Sequence, residues 1–304
     1  MATQPNTRLP ELFTRADAAK LGVSPERPKG LPVRRVTSGV YTLAPSDDFR
    51  LHIRAVCQAM GPDSVVHGAT ALRLWGVDLP RRLADDPVIH VLRTEKTFPT
   101  PRADVVAHRD ELQLPVFSVG GIRVVNPGEA WLQIARDVSL DDLTHIGDAL
   151  MRRSRHLVHY TDLVRMVEQS HRRPGIRTAR VAVGLCRENT DSWPETTTRL
   201  LLVRGGLPCP VVNWRVRDEN GRVVYYVDMA YVDEMVAVEY DGAYHVGDRQ
   251  VMGRNLTRRR LLEDRGWRVI SVGADDLSGE HNFVKSVRLA LKERAGRGVA
   301  AEKV

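Results

Sequence analysis

Residues 223–242 have the sequence VVYYVDMAYVDEMVAVEYDG, in which two apolar segments each contain carboxylates. Asp228 lies inside VVYYVDMAY, and Glu239 and Asp241 lie in the second segment, MVAVEYDG. The valine and tyrosine content of both segments predicts β-strands. Side chains alternate along a strand, so we expect Glu239 and Asp241 to project from one face. If the two strands are neighbours, the three carboxylates meet at one edge of the sheet.

Converging carboxylates repel one another unless a cation lies between them. Mg²⁺ prefers carboxylate oxygens and water, and it can polarise a phosphate and activate a water molecule. Asp228, Glu239 and Asp241 are therefore predicted to hold Mg²⁺, with Mn²⁺ as an alternative, and Glu195 on the preceding helix is a fourth candidate acid. The alternative is that these acids are surface charges or form structural ion pairs. Strand interiors disfavour Asp, which favours the metal site.

The segments around these strands complete an α/β pattern. PVVNWRVR precedes a hairpin turn predicted at 218–221, where Asn-Gly is a strong turn signal. A helix over 249–265, followed by the strand WRVISV, predicts a parallel strand–helix–strand crossover. A last helix is expected from Asn282 to about Arg294.

His245 follows the second acidic segment and is predicted to act as a general acid or base, or to hold a phosphate. The alternative is an ordinary loop histidine. Arg249, Arg254 and Arg258 lie on the helix that follows. Beside a carboxylate site, these arginines are suited to contact a nucleic-acid backbone, although a solvated surface is the alternative for each of them.

Residues 1–45 show the order of a winged helix-turn-helix. A helix is predicted over 15–21, and PVRRVTSGVYTLA predicts a two-stranded wing that turns at Ser38-Gly39. Arg34 and Arg35 lie in this wing and would bind phosphates.

Residues 46–186 predict an α+β region, with short strands such as VIHVL and DVVAH between amphipathic helices. We find no catalytic spacing in this region. His67, His90, His108 and His145 are scattered along it, and histidines that stand alone are more often structural or surface residues than ligands.

A run of landmarks in the last third resembles the very-short-patch-repair-endonuclease-like domain, a branch of the PD-(D/E)XK nuclease superfamily. These landmarks are the helix acid in PETTTRLL, the GLP turn, the strand Asp, the segment EYDGAYH and the strand GWRVI. The resemblance implies a restriction-endonuclease-like domain with a mixed sheet over 190–294. The domain would be a metal-dependent nuclease.

The resemblance also implies a role for each acidic residue. Asp228 would be the central metal ligand, Glu239 the second acid and Glu195 the helix acid. His245 would be the histidine that follows, and Asp241 occupies the position of the superfamily's usual Lys. An anion cannot stabilise an attacking hydroxide as Lys does, so Asp241 would bind metal or orient His245.

The first two regions resemble the antitoxin of abortive-infection type IV toxin–antitoxin systems. The segments that match are LFTRADAAKLGV, RRVTSGVYTL, VVHGATALRLWGV and VVNPGEAWLQIAR. The resemblance implies that the winged helix binds DNA and regulates transcription.

Composition sets broad bounds on the kind of protein. The chain has 304 residues and a formal net charge of +7, which favours attraction to nucleic acid. Its three cysteines form no CxxC pair, which argues against a disulfide framework or a zinc cluster built on cysteine. We expect no membrane span and no signal segment, and therefore a cytoplasmic protein.

These observations predict an α/β protein with domains over 1–45, 46–186 and 190–294 and a flexible tail over 295–304. The expected function is a metal-dependent DNA endonuclease in DNA repair or phage defence, with a toxin or repair protein as a partner. One alternative is a non-catalytic DNA-binding antitoxin or transcriptional regulator with a lapsed nuclease domain. Another is an RNA-processing enzyme on the same fold.

Overall fold

The structure is a computed structural model that describes residues 10–20, 33–43, 48–93, 102–109, 114–242 and 259–301, with side chains up to residue 295. The chain forms two compact units, Met1–Asp137 and Val138–Val304. Helices and mixed sheets occur together, which places the protein in the α/β class. The division into three domains stays a prediction.

The first unit contains eight described strands and five described helices. The strands are β1 Leu12–Thr14, β2 Arg34–Thr37, β3 Val40–Thr42, β4 Val65–Val66, β5 Ile89–Arg93, β6 Val105–Arg109, β7 Val116–Val119 and β8 Ile122–Val125. The helices are α1 Arg15–Lys20, α2 Phe49–Met60, α3 Gly68–Leu74, α4 Arg81–Ala84 and α5 Pro127–Ile134.

The second unit contains the remaining described elements. Its strands are β9 Met151–Arg152, β10 Arg155–His156, β11 Val211–Arg217, β12 Val223–Tyr231, β13 Val236–Tyr240 and β14 Arg268–Val272. Its helices are α6 Leu140–Leu150, α7 Tyr160–Gln169, α8 Ile176–Leu185, α9 Trp193–Arg204, α10 described over 259–263, α11 Ala274–Ser278 and α12 Asn282–Ala301. Within the described ranges, no helix has both the length and the apolar character needed to cross a membrane.

A small antiparallel sheet begins the first unit, with its strands in the order β1-β3-β2. The predicted hairpin is confirmed, because β2 and β3 pair on either side of Ser38 and Gly39. Gly39 has a φ of +81°, a conformation that glycine adopts without strain. The predicted first helix is also confirmed as α1, although the segment between α1 and β2 lies outside the described residues.

A larger mixed sheet follows, with its strands in the order β6-β5-β4-β8-β7. β5 pairs with β6 in parallel and with β4 antiparallel, so this sheet joins strands that are distant in sequence. Ile53, Leu72 and Trp131 on α2, α3 and α5 are fully buried and form part of the core. The pairing of β4, β5 and β6 brings residues 67, 90 and 108 to one region of the sheet.

The sheet of the second unit has the order β11-β12-β13-β14. The hairpin predicted at 218–221 is confirmed between β11 and β12, and β13 pairs antiparallel with β12. β13 and β14 pair in parallel, as the crossover pattern predicted. The chain therefore folds here into a mixed sheet, and the last helix continues to Ala301 beyond its predicted end near Arg294.

Helices cover both faces of this sheet. Leu202 of α9 and Phe283 of α12 lie in one apolar cluster with buried residues of β12 and β13. Leu262 of α10 and Trp267 lie in a second cluster with other residues of the same strands. Residues of the two clusters alternate along the strands, as expected for a sheet that is buried on both faces.

A buried ion pair joins α6 to α9. The side chains of Asp148 and Arg199 are 2% and 1% exposed, and Arg199 Nη2 donates to Asp148 Oδ2 over 2.6 Å. The same carboxylate oxygen accepts a hydrogen bond from the hydroxyl of Thr196 at 2.8 Å. A buried charge is tolerated when it is paired and hydrogen-bonded, and both conditions are met here.

We predict that Arg199→Met lowers the free energy of unfolding by about 3–5 kcal/mol, because the variant leaves the Asp148 carboxylate buried without its cation. Urea unfolding followed by circular dichroism measures the loss. The matched control is Arg204→Gln, which breaks the half-exposed pair of Arg204 with Asp141 and should cost about 1 kcal/mol or less. Equal small losses in the two variants would contradict the prediction.

Candidate functional site

Two carboxylates lie side by side where the pairing of β12 with β13 ends. The last paired residues are Met229 and Val238, and the next positions along the same register are Asp228 and Glu239. The Asp228 N–H donates to Glu239 Oε1 over 3.2 Å, and the Tyr240 N–H donates to Asp228 Oδ2 over 2.9 Å. At this point the carboxylate side chains accept the hydrogen bonds of the backbone N–H groups. Both carboxylates are half-buried.

A third contact fixes Glu239. The Tyr225 hydroxyl donates to Glu239 Oε2 over 2.5 Å, while Oε1 accepts the Asp228 N–H. Both oxygens of Glu239 are therefore held by hydrogen bonds. Tyr225 was not among the predicted site residues, because a tyrosine in a strand also fits an ordinary cross-strand packing role.

Asp241 lies just beyond β13. Its N–H donates to the Val272 carbonyl over 2.9 Å, which continues the parallel pairing with β14. Among the described residues, Asp228, Glu239 and Asp241 do not form a group of three whose ligand atoms all lie within 4.8 Å of one another. The structure thus brings the first two predicted ligands together and leaves the three-ligand site a prediction.

Glu195 caps its own helix. Ser192 is the N-cap of α9, and the Glu195 carboxylate accepts from the Asp191 N–H at 3.0 Å and from the Ser192 hydroxyl at 2.8 Å. The Glu195 N–H donates in return to Ser192 Oγ. Burial raises the pKa of the Glu195 carboxyl, and these hydrogen bonds oppose that rise. The spacing of Ser192 and Glu195 is that of a capping box, which was not predicted from the sequence.

The remaining predicted site residues are either at the surface of the first unit or outside the described ranges. Arg35 of β2 is exposed and Arg34 is partly buried. The other four predicted site residues lie outside the described residues. They are His245 and the predicted phosphate-binding residues Arg249, Arg254 and Arg258.

Three histidines of the first unit form a cluster that the sequence analysis missed. His67 follows β4, His90 lies in β5 and His108 lies in β6, and their ligand nitrogens all lie within 4.8 Å of one another. The expectation that these histidines stand alone is wrong, because strand pairing brings them together. Each histidine lies in or beside a short apolar segment, and such segments predict strands. The local sequence does not say which strands become neighbours, so it did not predict that the histidines meet.

The environment of this cluster favours neutral imidazoles. Burial lowers the pKa of all three side chains, to about 3 for His67. The neighbouring rings lower it further for His67 and His108. Neutral imidazole is the form that binds a metal ion.

His145 shows the contrasting case of a structural histidine. Its Nδ1 is 2.7 Å from the Asp141 carbonyl, and its Nε2 is 2.8 Å from Thr197 Oγ1. Its ring stacks on Trp193 with centroids 4.3 Å apart. Both nitrogens are satisfied, and the predicted structural role is confirmed.

The chain is similar to two proteins of Mycobacterium tuberculosis. They are named "Uncharacterized protein MT2308", in strain CDC 1551 / Oshkosh, and "Uncharacterized protein Rv2248", in strain ATCC 25618 / H37Rv. Each is 26% identical over 247 residues, which cover 81% of this chain and 87% of the relative. No protein-family model matches the chain, and no solved structure matches it. The matched length exceeds that of either compact unit, so the likeness crosses the boundary between them.

We predict that Ser192→Ala lowers the free energy of unfolding by about 1 kcal/mol, the usual effect of removing an N-cap hydroxyl. Chemical denaturation measures the change. The control is Ser286→Ala, which changes an exposed serine of α12 and should stay within about 0.5 kcal/mol of the parent. If Ser192→Ala is as stable as the control, then the Ser192 hydroxyl does not stabilise α9 as an N-cap.

Proposed function

We propose that residues 190–294 form a metal-dependent endonuclease domain that hydrolyses phosphodiester bonds in DNA. The single observation that supports this proposal most is the placement of Asp228 and Glu239 side by side on two adjacent strands. The mixed sheet with helices on both faces also agrees with the restriction-endonuclease-like domain that the sequence resembles.

The donor set at this position fits the proposed ion. Mg²⁺ takes carboxylate oxygens, and Asp228 and Glu239 offer two carboxylates from adjacent strands. Each carboxylate oxygen has two lone-pair directions, so one oxygen can accept a hydrogen bond and also bind a cation. When bound, Mg²⁺ would supply charge to polarise the phosphate and to activate a water molecule.

In the proposed reaction, hydrogen bonds from the described residues would orient the carboxylates. Tyr225 and the Asp228 N–H hold Glu239, and the Tyr240 N–H holds Asp228. In the reaction, water oxygen would bond to phosphorus, a P–O ester bond would break, and the leaving oxygen would gain a proton. Asp241 would add a ligand oxygen or orient His245, since it cannot replace the positive charge of a lysine.

A regulator without catalysis is the second candidate function. The β2–β3 hairpin turns at Ser38-Gly39 and presents Arg35 to solvent, as a DNA-contacting wing would. Asp241 at the position of the usual lysine, and Glu195 in a capping role, both favour a domain whose nuclease activity has lapsed. In that case the protein would bind DNA and regulate transcription as an antitoxin does.

We predict that the parent protein nicks or cuts supercoiled plasmid in Mg²⁺ or Mn²⁺, and that Asp228→Asn and Glu239→Gln each lower the rate at least about 100-fold. Loss of a metal-binding carboxylate weakens binding of the metal ion, whose positive charge stabilises the transition state. Gel electrophoresis of the plasmid over time measures the rate. The matched control is Glu280→Gln, an exposed carboxylate of the same unit, which should cut as the parent does.

The outcomes separate the candidate functions. Equal cutting by the parent and the Asp228→Asn variant would point to a contaminating nuclease and would reject the proposal. DNA binding without cutting would favour the regulator, and faster cleavage of RNA than of DNA would favour an RNA enzyme.

A further inference from the structure

We propose that His67, His90 and His108 bind a divalent transition-metal ion, best matched by Zn²⁺, on the larger sheet of the first unit. This site is independent of the carboxylates in the second unit. Imidazole nitrogens suit Zn²⁺, Cu²⁺ and Ni²⁺, and a set of three histidines is an established way to hold Zn²⁺ in proteins.

The strand register explains why the three rings converge. The His67 N–H donates to the His90 carbonyl over 3.2 Å, so these two residues lie opposite each other at the end of the β4–β5 pairing. In the parallel β5–β6 pair, His90 is matched with Val106 and Leu92 with His108. His90 and His108 therefore project from the same face, because side chains alternate along each strand.

The distances suit a shared ion. The three ligand nitrogens lie within 4.8 Å of one another. Zn–N bonds of about 2.0–2.1 Å place two ligands on one ion at most about 4 Å apart. The nitrogens would therefore need to approach one another by about 1 Å to share an ion.

His67 gives an independent reason to expect a ligand. The residue is 7% exposed, and among the described residues neither ring nitrogen has a partner with full hydrogen-bond geometry, although the Gln133 side chain lies close enough to interact with the ring. Buried polar atoms without partners are rare because they lose the hydrogen bonds that water would provide. His67 is also the N-cap of α3, yet its side chain makes no capping hydrogen bond. A metal ion would satisfy one of the unpaired nitrogens.

The packing of the rings alone does not explain this arrangement. The His67 and His108 rings meet edge to face, with centroids 4.7 Å apart. This contact fixes the rings but leaves the His67 nitrogens unpaired, in contrast to the structural His145. Exposure increases from His67 through His90 to His108, so an ion would enter from the side of His108.

A second group, His156, His159 and Glu188, also lies within ligand distance. It is more exposed, and Glu188 Oε1 already accepts the Tyr160 N–H at 2.7 Å at the start of α7. Glu188 therefore serves as a cap for α7, and the group provides a matched control.

The proposal is tested with full-length protein, freed of any affinity tag and dialysed against chelator, by isothermal titration with Zn²⁺. We expect the tightest site to bind one Zn²⁺ per chain. His108→Ala and His90→Gln should each weaken that site at least about 10-fold, the smallest effect usual for loss of a group that supports a metal site. Co²⁺ bound to the parent should show the visible absorption of a low-symmetry, nitrogen-ligated ion, and both variants should lose it.

Two control variants separate this site from the others. The double variant His156→Ala/His159→Ala should keep the tightest Zn²⁺ site of the parent. Asp228→Asn should also keep that tightest site, and any weaker binding of metal at the carboxylates does not enter the comparison. Absence of a one-to-one site in the parent, or unchanged affinity in His108→Ala, would overturn the proposal. His108 is exposed, so its variant decides the matter even if His90→Gln fails to fold. Zinc should also raise the melting temperature of the parent and not that of His108→Ala.

Discussion

The buried charge of Asp148 is the constraint on which the second unit depends. Its carboxylate accepts hydrogen bonds from Arg199, Thr196 and Thr190 and from the Arg187 backbone N–H. These donors come from α9 and from the segment that precedes it, while Asp148 itself lies on α6. Because α9 packs against the sheet, the ion pair also fixes the helices of 138–190 onto the part of the chain that contains the carboxylates.

Local patterns predicted much of this architecture. The hairpin at 218–221, the strand around Asp228 and the parallel pairing of β13 with β14 follow from turn chemistry, apolar runs and the crossover rule. The Asp148–Arg199 pair was not predicted, since charged residues on helices usually face solvent. The sequence predicts Glu195 as a site acid, whereas the structure gives it a capping role at the start of α9.

Both candidate sites depend on which strands become neighbours. The carboxylates belong to strands that are consecutive in sequence, so their meeting could be inferred from the short distance between Asp228 and Glu239 along the chain. The histidines require β4, β5 and β6 to pair across long connections, and β4 has only two residues. Such pairing depends on the whole sheet. For this reason the spacing of His67 and His108 along the chain matches no metal-binding motif.

The hydrogen bonds on Glu239 have a consequence for conformational entropy. A free glutamate side chain gives up as much as about 1.5–2 kcal/mol of rotamer freedom when it is immobilised. Tyr225 and the Asp228 N–H have already immobilised Glu239 during folding. Any ligand of this carboxylate therefore meets a preorganised partner, and its affinity is not reduced by the ordering of that side chain.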